Sequence, residues 1–333
     1  MNILITGGAG FIGHHAALRF LGQGHNVAVY DNCSRPGSAD TASRLADVGV
    51  RLFIEDIRDR DSLEKAIAEV RPDAVLHLAG QVAVTTSIAD PRADFEVNAG
   101  GTLNVLEALR AHAPGAVMIF ASTNKVYGEM AKGLILPHGI REDWHLDFLT
   151  PYGCSKGVAD QYCLDYARTY GLRTVVLRQS CIYGTEQYGI EDQGWVAWFC
   201  NRAVMGKTVT LFGDGAQVRD LLWIDDLLDL YDAILKRPEE AEGEVFNIGG
   251  GPATAMSLCG VLARLEEITG GEISVKFAAA RTGDQQIYVS NIDKALVRLG
   301  FSPKVMPVEG IERLHDWMAA HREEIAAWSS VAA

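Results

Sequence analysis

Tyr152 and Lys156, in the run Tyr152-Gly153-Cys154-Ser155-Lys156, have the spacing of a proton-transfer pair. In a helix beginning after Thr150-Pro151, a separation of four puts phenol and ammonium on one face. At ~4 Å and an effective dielectric of about 20, the ammonium favours a phenolate by ~4 kcal/mol. That is ~3 pH units, enough to carry a tyrosine from about 10 to near 7. Such a tyrosine can take a proton from a sugar hydroxyl as hydride leaves the same carbon, and return it later. The spacing alone is equally that of an ordinary helical pair. It gains weight from Phe120-Ala121-Ser122-Thr123-Asn124-Lys125-Val126-Tyr127-Gly128 upstream. There an apolar strand delivers a hydroxyl at its carboxyl end, placed to orient a reacting alcohol.

The hydride needs an acceptor. Asn2–Thr6 runs into Gly7-Gly8-Ala9-Gly10-Phe11-Ile12-Gly13, which holds G-x-x-G-x-x-G at Gly7, Gly10 and Gly13. Glycine suits a backbone that turns sharply and approaches a pyrophosphate, and the helix that follows offers free N–H groups and its positive dipole end. A second strand ends in Asp31, 18 residues after Gly13, where a carboxylate accepts hydrogen bonds from ribose hydroxyls and repels a 2′-phosphate. The pattern points to a dinucleotide, and Asp31 favours NAD over NADP. Arg35 reads as a solvated loop charge. Asp56-Ile57, after the third strand, is placed either to flank the adenine or to serve as a plain turn.

These groups need a scaffold, and the order of segments supplies one. The apolar runs Asn2–Thr6, Val27–Tyr30, Val50–Ile54, Ala74–Leu78, Val117–Ala121 and Thr174–Leu177 alternate with helical patterns, among them Phe11–Gly22 and Asp61–Val70. Such alternation means parallel strands with right-handed crossovers. The fold class expected is α/β, a Rossmann-like doubly wound parallel sheet with a smaller, mixed α/β substrate lobe. The NAD-binding part is expected over residues 1–177, with a return to it near 220–250. The lobe is expected from 178–219 and 251–333. Helices near Asp225–Lys236, Ser257–Thr269 and Glu309–His321, a strand at Glu244–Ile248 and a frayed Ser329–Ala333 tail complete the reading.

Composition excludes several classes. With 48% apolar and 22% charged residues the bulk of the chain is not disordered. A net charge of −13 opposes binding to nucleic acid or an anionic membrane, so any phosphate must be met by a local device. No apolar run reaches the ~18–20 residues of a membrane span. Met1–Thr6 has no basic stretch and reads as a strand, and a soluble, cytoplasmic protein is expected. Cys33, Cys154, Cys163, Cys181, Cys200 and Cys259 form no C-x-x-C pair; they read as reduced thiols, and no metal is expected.

The chain resembles the extended short-chain dehydrogenases/reductases, in particular the nucleotide-sugar epimerases. The resemblance runs through Thr6–Gly13, Asp31-Asn32, His77-Leu78-Ala79-Gly80, Asn98, Gly101–Val105 and Tyr152 with Lys156. It continues through Gly213-Asp214-Gly215, Arg219-Asp220, Phe246–Gly249 and Arg281-Thr282-Gly283-Asp284. It implies catalytic roles for Thr123, Tyr152 and Lys156. It implies that Gly7, Gly10, Phe11, Ile12, Gly13, Asp31, Asn32, Asp56, Ile57, Ala79, Gly80 and Gln81 line NAD together with Tyr152 and Lys156, with Asn98 behind them. Arg219 and Arg281 match positions that grip a substrate diphosphate, and Asp284 one that meets its ribose. Thr123, Asn124, Cys181 and Gln193 are assigned to the sugar pocket, and a homodimer is implied.

Within that superfamily Ser122-Thr123-Asn124-Lys125 discriminates. The 4,6-dehydratases carry Thr-Asp-Glu there, and neither Asn124 nor Lys125 can replace those carboxylates as acid and base. The Ser-Thr-Asn-Lys-Val-Tyr-Gly run, with Gly80–Ser87, is similar to the CDP-paratose/CDP-tyvelose 2-epimerases. In contrast, Thr150–Lys156 is written as in common 4-epimerases, and Cys181 stands where those usually have asparagine. The reading is an NAD-dependent nucleotide-sugar epimerase acting by transient oxidation to a keto-sugar, with a CDP-sugar 2-epimerase as the finer expectation. The alternatives are a UDP-sugar 4-epimerase, a net oxidoreductase or dehydratase, and a non-catalytic NAD-binding regulator.

Overall fold

The computed structural model describes residues 1–130 and 137–331. The first six strands are β1 Asn2–Thr6, β2 Asn26–Tyr30, β3 Arg51–Phe53, β4 Ala74–His77, β5 Val117–Thr123 and β6 Arg173–Gln179. They are followed by β7 Cys181–Tyr183, β8 Val209–Phe212, β9 Val218–Trp223, β10 Glu244–Ile248, β11 Ala255–Ser257, β12 Val275–Ala278 and β13 Ile287–Tyr288. Seven of these form one sheet in the order β10-β6-β5-β4-β1-β2-β3, with every neighbouring pair parallel. The order reverses between β1 and β4, which opens a crevice at the strands' carboxyl ends, the place where such sheets bind ligands.

Both faces of the sheet are covered, which is why its strands are continuously apolar. Ile3 and Ile5 of β1, Val29 of β2 and Leu76 of β4 belong to a core that includes Phe20 and Tyr231 from helices Phe11–Gly22 and Ile224–Lys236. The alternate residues Leu4, Ala28, Tyr30 and Val75 pack with Leu63, Ile67, Val105 and Leu106 of helices Arg60–Val70 and Gly101–His112. β5 runs two residues beyond the apolar stretch that marks it in the sequence. It ends with Ser122 and Thr123 in register with Arg178 and Gln179 of β6, which carries the Thr123 hydroxyl to the carboxyl edge of the sheet.

The remaining strands form two small sheets. In one, β9 pairs with β7, β11 and β13; in the other, β8 pairs with β12. Around them pack helices Trp195–Val204, Leu258–Thr269 and Pro307–Ala320. Neither β8 nor β9 is anticipated from the sequence, because each is short and adjoins the Gly213-Asp214-Gly215 break. Helix Arg322–Val331 carries the backbone through much of the tail expected to fray, and Ala332 and Ala333 lie outside the described residues. Among the described residues no helix is long and apolar enough to cross a membrane.

Candidate active site

β1 ends at Thr6 and the chain turns through Gly7, whose φ of +71° suits glycine. A Cβ on Gly7 would lie 2.6 Å from the Ala79 amide nitrogen, and one on Gly13 would lie 2.4 Å from the Gly7 carbonyl oxygen. The fold itself demands those two glycines. Gly10 differs: a Cβ there would meet only the Gly7 carbonyl, at 3.3 Å, so the protein leaves that side open. Helix Phe11–Gly22 starts there with no side-chain cap, and its first N–H groups and positive dipole end are available to an anion. Asp31, at the end of β2, accepts from Ala9 N at 3.0 Å and Cys33 N at 2.8 Å, which fixes its carboxylate beside the loop. Burial raises its pKa, and those two N–H groups oppose the shift.

The far end of this cradle is polar. Asn32 Nδ2 donates to Asp56 Oδ2 at 2.9 Å, and Arg58 grips the same carboxylate at 2.9 and 2.8 Å, holding it well below the usual carboxylate range. Phe11 and Ile12 are half-buried on the rim, whereas the Ile57 side chain is core, wedged against Gly101. Arg35 is not simply a solvated charge: it donates to Gln193 Oε1 of the other lobe. A glycine loop that keeps one face free and a bare helix start offer N–H donors to a diphosphate, and a fixed carboxylate at the second strand offers an acceptor to ribose hydroxyls.

On the opposite side of the crevice, helix Thr150–Tyr170 passes the end of β5. Thr123 Oγ1 accepts from Lys125 N at 3.2 Å, which caps the short turn Asn124–Tyr127. The Thr123 hydroxyl also hydrogen-bonds the Tyr152 phenol and lowers its pKa, but burial dominates and pushes the phenol up to about 12. This corrects the value near 7 expected from the spacing. The Asp94 carboxylate raises the pKa further. The Lys156 ammonium lies 4.2 Å from the Phe120 ring centroid, and burial brings it down to about 8. Helical spacing puts both groups on one face, yet desolvation outweighs any attraction between them.

Asn98 is expected behind the site, but the turn and the partners that hold it there are not legible in the sequence. Glu96–Gly100 forms a π-helical turn, a bulge that often marks a functional position, and it presents Asn98. Asn98 Nδ2 donates to the Gln81 carbonyl oxygen at 3.0 Å and to Ser155 Oγ at 3.0 Å, while its Oδ1 accepts from Gln81 N at 2.9 Å. Buried Asp94 accepts from Gln81 Nε2 at 2.9 Å and from Ser155 Oγ. Asn98, placed with the cofactor set by the resemblance, thus holds Gln81 and helix Thr150–Tyr170 in place, and Gly80 fits between it and Lys156. The buried His77 bridges Thr6 and Thr102 at 2.7 and 2.9 Å; burial lowers it to about 3, so it is neutral.

The residues expected to meet substrate fall into two groups. Arg219 Nη2 donates to Asp284 Oδ1 at 3.0 Å and to the Gln285 carbonyl oxygen at 2.6 Å, with Cys181 nearby; burial pushes that thiol up to about 12, so it is not a nucleophile. Asn124 is buried beside Thr123, its Oδ1 accepting from Thr123 Oγ1 at 3.4 Å. Arg281 stands apart, its guanidinium 3.8 Å from the Phe212 ring centroid, paired with Asp192 at 2.7 Å and donating to the Glu191 carbonyl oxygen at 3.1 Å. Thr85 Oγ1 donates to Asp192 Oδ2 at 2.9 Å, which ties the start of helix Val84–Ala89 to the loop before helix Trp195–Val204. Lys125, read in the sequence only as a missing acid, enters this site beside Asp284.

The profile of the NAD dependent epimerase/dehydratase family matches residues 3–249. The chain is 42% identical to the CDP-paratose 2-epimerase of Salmonella typhi, over 96% of this chain and 100% of that one. The structure of the UDP-glucose 4-epimerase of Thermus thermophilus in complex with NAD superposes with a TM-score of 0.85 at 35% identity, covering 95% and 98% of the two chains. That of the Thermotoga maritima UDP-glucose 4-epimerase with UDP-glucose gives 0.87 at 33%, covering 97% and 100%.

Proposed function

This chain belongs to the NAD dependent epimerase/dehydratase family, and from that premise we infer an NAD-dependent nucleotide-sugar epimerase that inverts carbon 2 of a CDP-sugar. NAD, when bound, supplies a hydride acceptor that gives the hydride back. Gly7, Gly10 and Gly13 with the start of helix Phe11–Gly22 would hold its diphosphate, Asp31 a ribose, and Lys156 and Gln81 the nicotinamide end. Thr123 orients the sugar hydroxyl, and Tyr152 takes its proton. The resulting keto-sugar turns its other face, and Tyr152 returns the proton as the configuration inverts. Burial pushes the phenol up to about 12 and the Thr123 hydroxyl opposes the shift, so a cation beside Tyr152 would favour the phenolate that the reaction needs.

Thr123 beside Tyr152 at the crevice, opposite an open glycine loop, is the observation that carries the chemistry. The choice of C2 and of CDP rests on the Ser122–Gly128 run and on the relative from Salmonella typhi. A UDP-sugar 4-epimerase is the second reading, favoured by the Thr150–Lys156 run and by the two superposed structures. Incubation with CDP-, UDP-, GDP- and dTDP-sugars, followed by NMR, separates them by which epimer appears. Stoichiometric reduced nicotinamide in the same incubations would instead mark a net oxidoreductase. We also assign the face formed by helices Val84–Ala89, Pro91–Phe95 and Thr150–Tyr170 to a homodimer, since it exposes Ile88, Phe95 and Tyr162.

A further inference from the structure

Lys125 touches both halves of the site. Its amide donates to Thr123 Oγ1 at 3.2 Å, and its carbonyl oxygen lies against Gly153 of the catalytic helix, 3.1 Å from where a Cβ would stand. Its ammonium points the other way. It donates to the Gly283 carbonyl oxygen at 3.2 Å and stands 4.0 Å from Asp284 Oδ1, an oxygen that Arg219 already engages at 3.0 Å. The side chain is only 15% exposed. Burial and the nearby Arg219 pull the ammonium down to about 8, against Asp284 and Glu129, which favour its charge. An ammonium has three donors; among the described residues this one makes a single hydrogen bond and shares one carboxylate, which leaves it able to take an anion.

The chemistry of the substrate says which anion belongs there. A sugar nucleotide carries its phosphate on C1, the carbon bonded to C2, whereas C4 lies across the ring. Bringing the C2 hydroxyl to Thr123 and Tyr152 draws the sugar-linked phosphate toward Thr123, and a cation must meet it between there and Arg219. We propose that Lys125 is that cation, binding the sugar-linked phosphoryl group and so setting C2, rather than C4, at the catalytic tyrosine. The assignment rests on the 2-epimerase reading and makes Lys125 a determinant of which ring carbon reacts.

CDP and CMP differ by that phosphoryl group, so calorimetric titration of each into the NAD-loaded protein isolates the contribution. Lys125→Met should weaken CDP about tenfold or more, as loss of a charge-assisted hydrogen bond implies, and leave CMP within about twofold. Lys125→Arg should keep an intermediate affinity for CDP. With CDP-sugar, Lys125→Met should lose C2 inversion at saturating substrate while its NAD content is unchanged. Equal losses for CDP and CMP, or none, would overturn the assignment and leave the 2-epimerase reading intact. A wild-type protein that inverts only C4 would overturn that reading, and the role of Lys125 with it.

Discussion

A buried phenol resists ionisation, and Tyr152 shows how far burial can override a favourable spacing. The i, i+4 relation to Lys156 was legible in the sequence; the size of the desolvation was not, because it depends on Phe120, Asp94 and the sheet beneath them. Tyr152→Phe should lower turnover by about 10²–10⁴-fold with NAD still bound, and unchanged turnover would remove the tyrosine from its role. Lys156 gives a test in pH. Its folded value of about 8 lies below the ordinary 10.5, so between these the unfolded chain binds more protons and stability rises with pH; below 8 the cost is felt in full. Wild type should therefore gain about 2 kcal/mol on Lys156→Met between pH 8 and pH 10 in urea denaturation. A constant difference would mean that the ammonium is not desolvated. The glycines separate fold from ligand in the same way. Gly13→Ala should fail to fold properly, since its Cβ meets backbone, whereas Gly10→Ala should fold normally and bind NAD at least about tenfold more weakly.

The elements that position these residues divide by how locally they are encoded. β1, β2, β4, β5 and β6 are short apolar runs whose partners follow from alternation with helices, so the sequence reveals them. The π-helical turn at Glu96–Gly100 has no such signature, because it depends on Asp94 and Asn98 finding Ser155 of helix Thr150–Tyr170, more than fifty residues away in the chain. β5 overruns its apolar stretch because a buried pair receives its end: Ser122 Oγ donates to Asp160 Oδ2 at 2.7 Å, and Arg178 holds that carboxylate at 2.9 and 3.0 Å. Both members of the pair are almost fully buried. Removing one strands the other charge, so Asp160→Asn should cost about 3–5 kcal/mol of stability. The double replacement Asp160→Asn with Arg178→Met should cost less than the two single changes added together. A denaturation cycle checks this, and strict additivity would mean that the pair does not act as a unit.

The whole molecule places a cleft between a sheet read mostly from local pattern and a lobe built from distant pieces. That lobe is harder to read because its strands pair across the chain: β9 at Val218–Trp223 joins β7, β11 and β13. The boundaries expected at 177 and 219 fall inside β6 and β9, and we propose that the parts end instead at Gln179 and Trp223. With a net charge of −13, phosphate recognition needs local devices, and we propose Arg219, Arg281, Lys125 and the start of helix Phe11–Gly22 for them. Replacing Ile88 and Phe95 together by Asp should give a monomer in sedimentation where wild type is a dimer; a wild type that is already monomeric would refute the assigned face. The central claim is that hydride leaves one sugar carbon and returns to it. CDP-sugar carrying deuterium at C2, turned over in ordinary water, should yield the C2 epimer with its deuterium retained. Loss of the label to solvent, or an epimer altered elsewhere, would contradict the account.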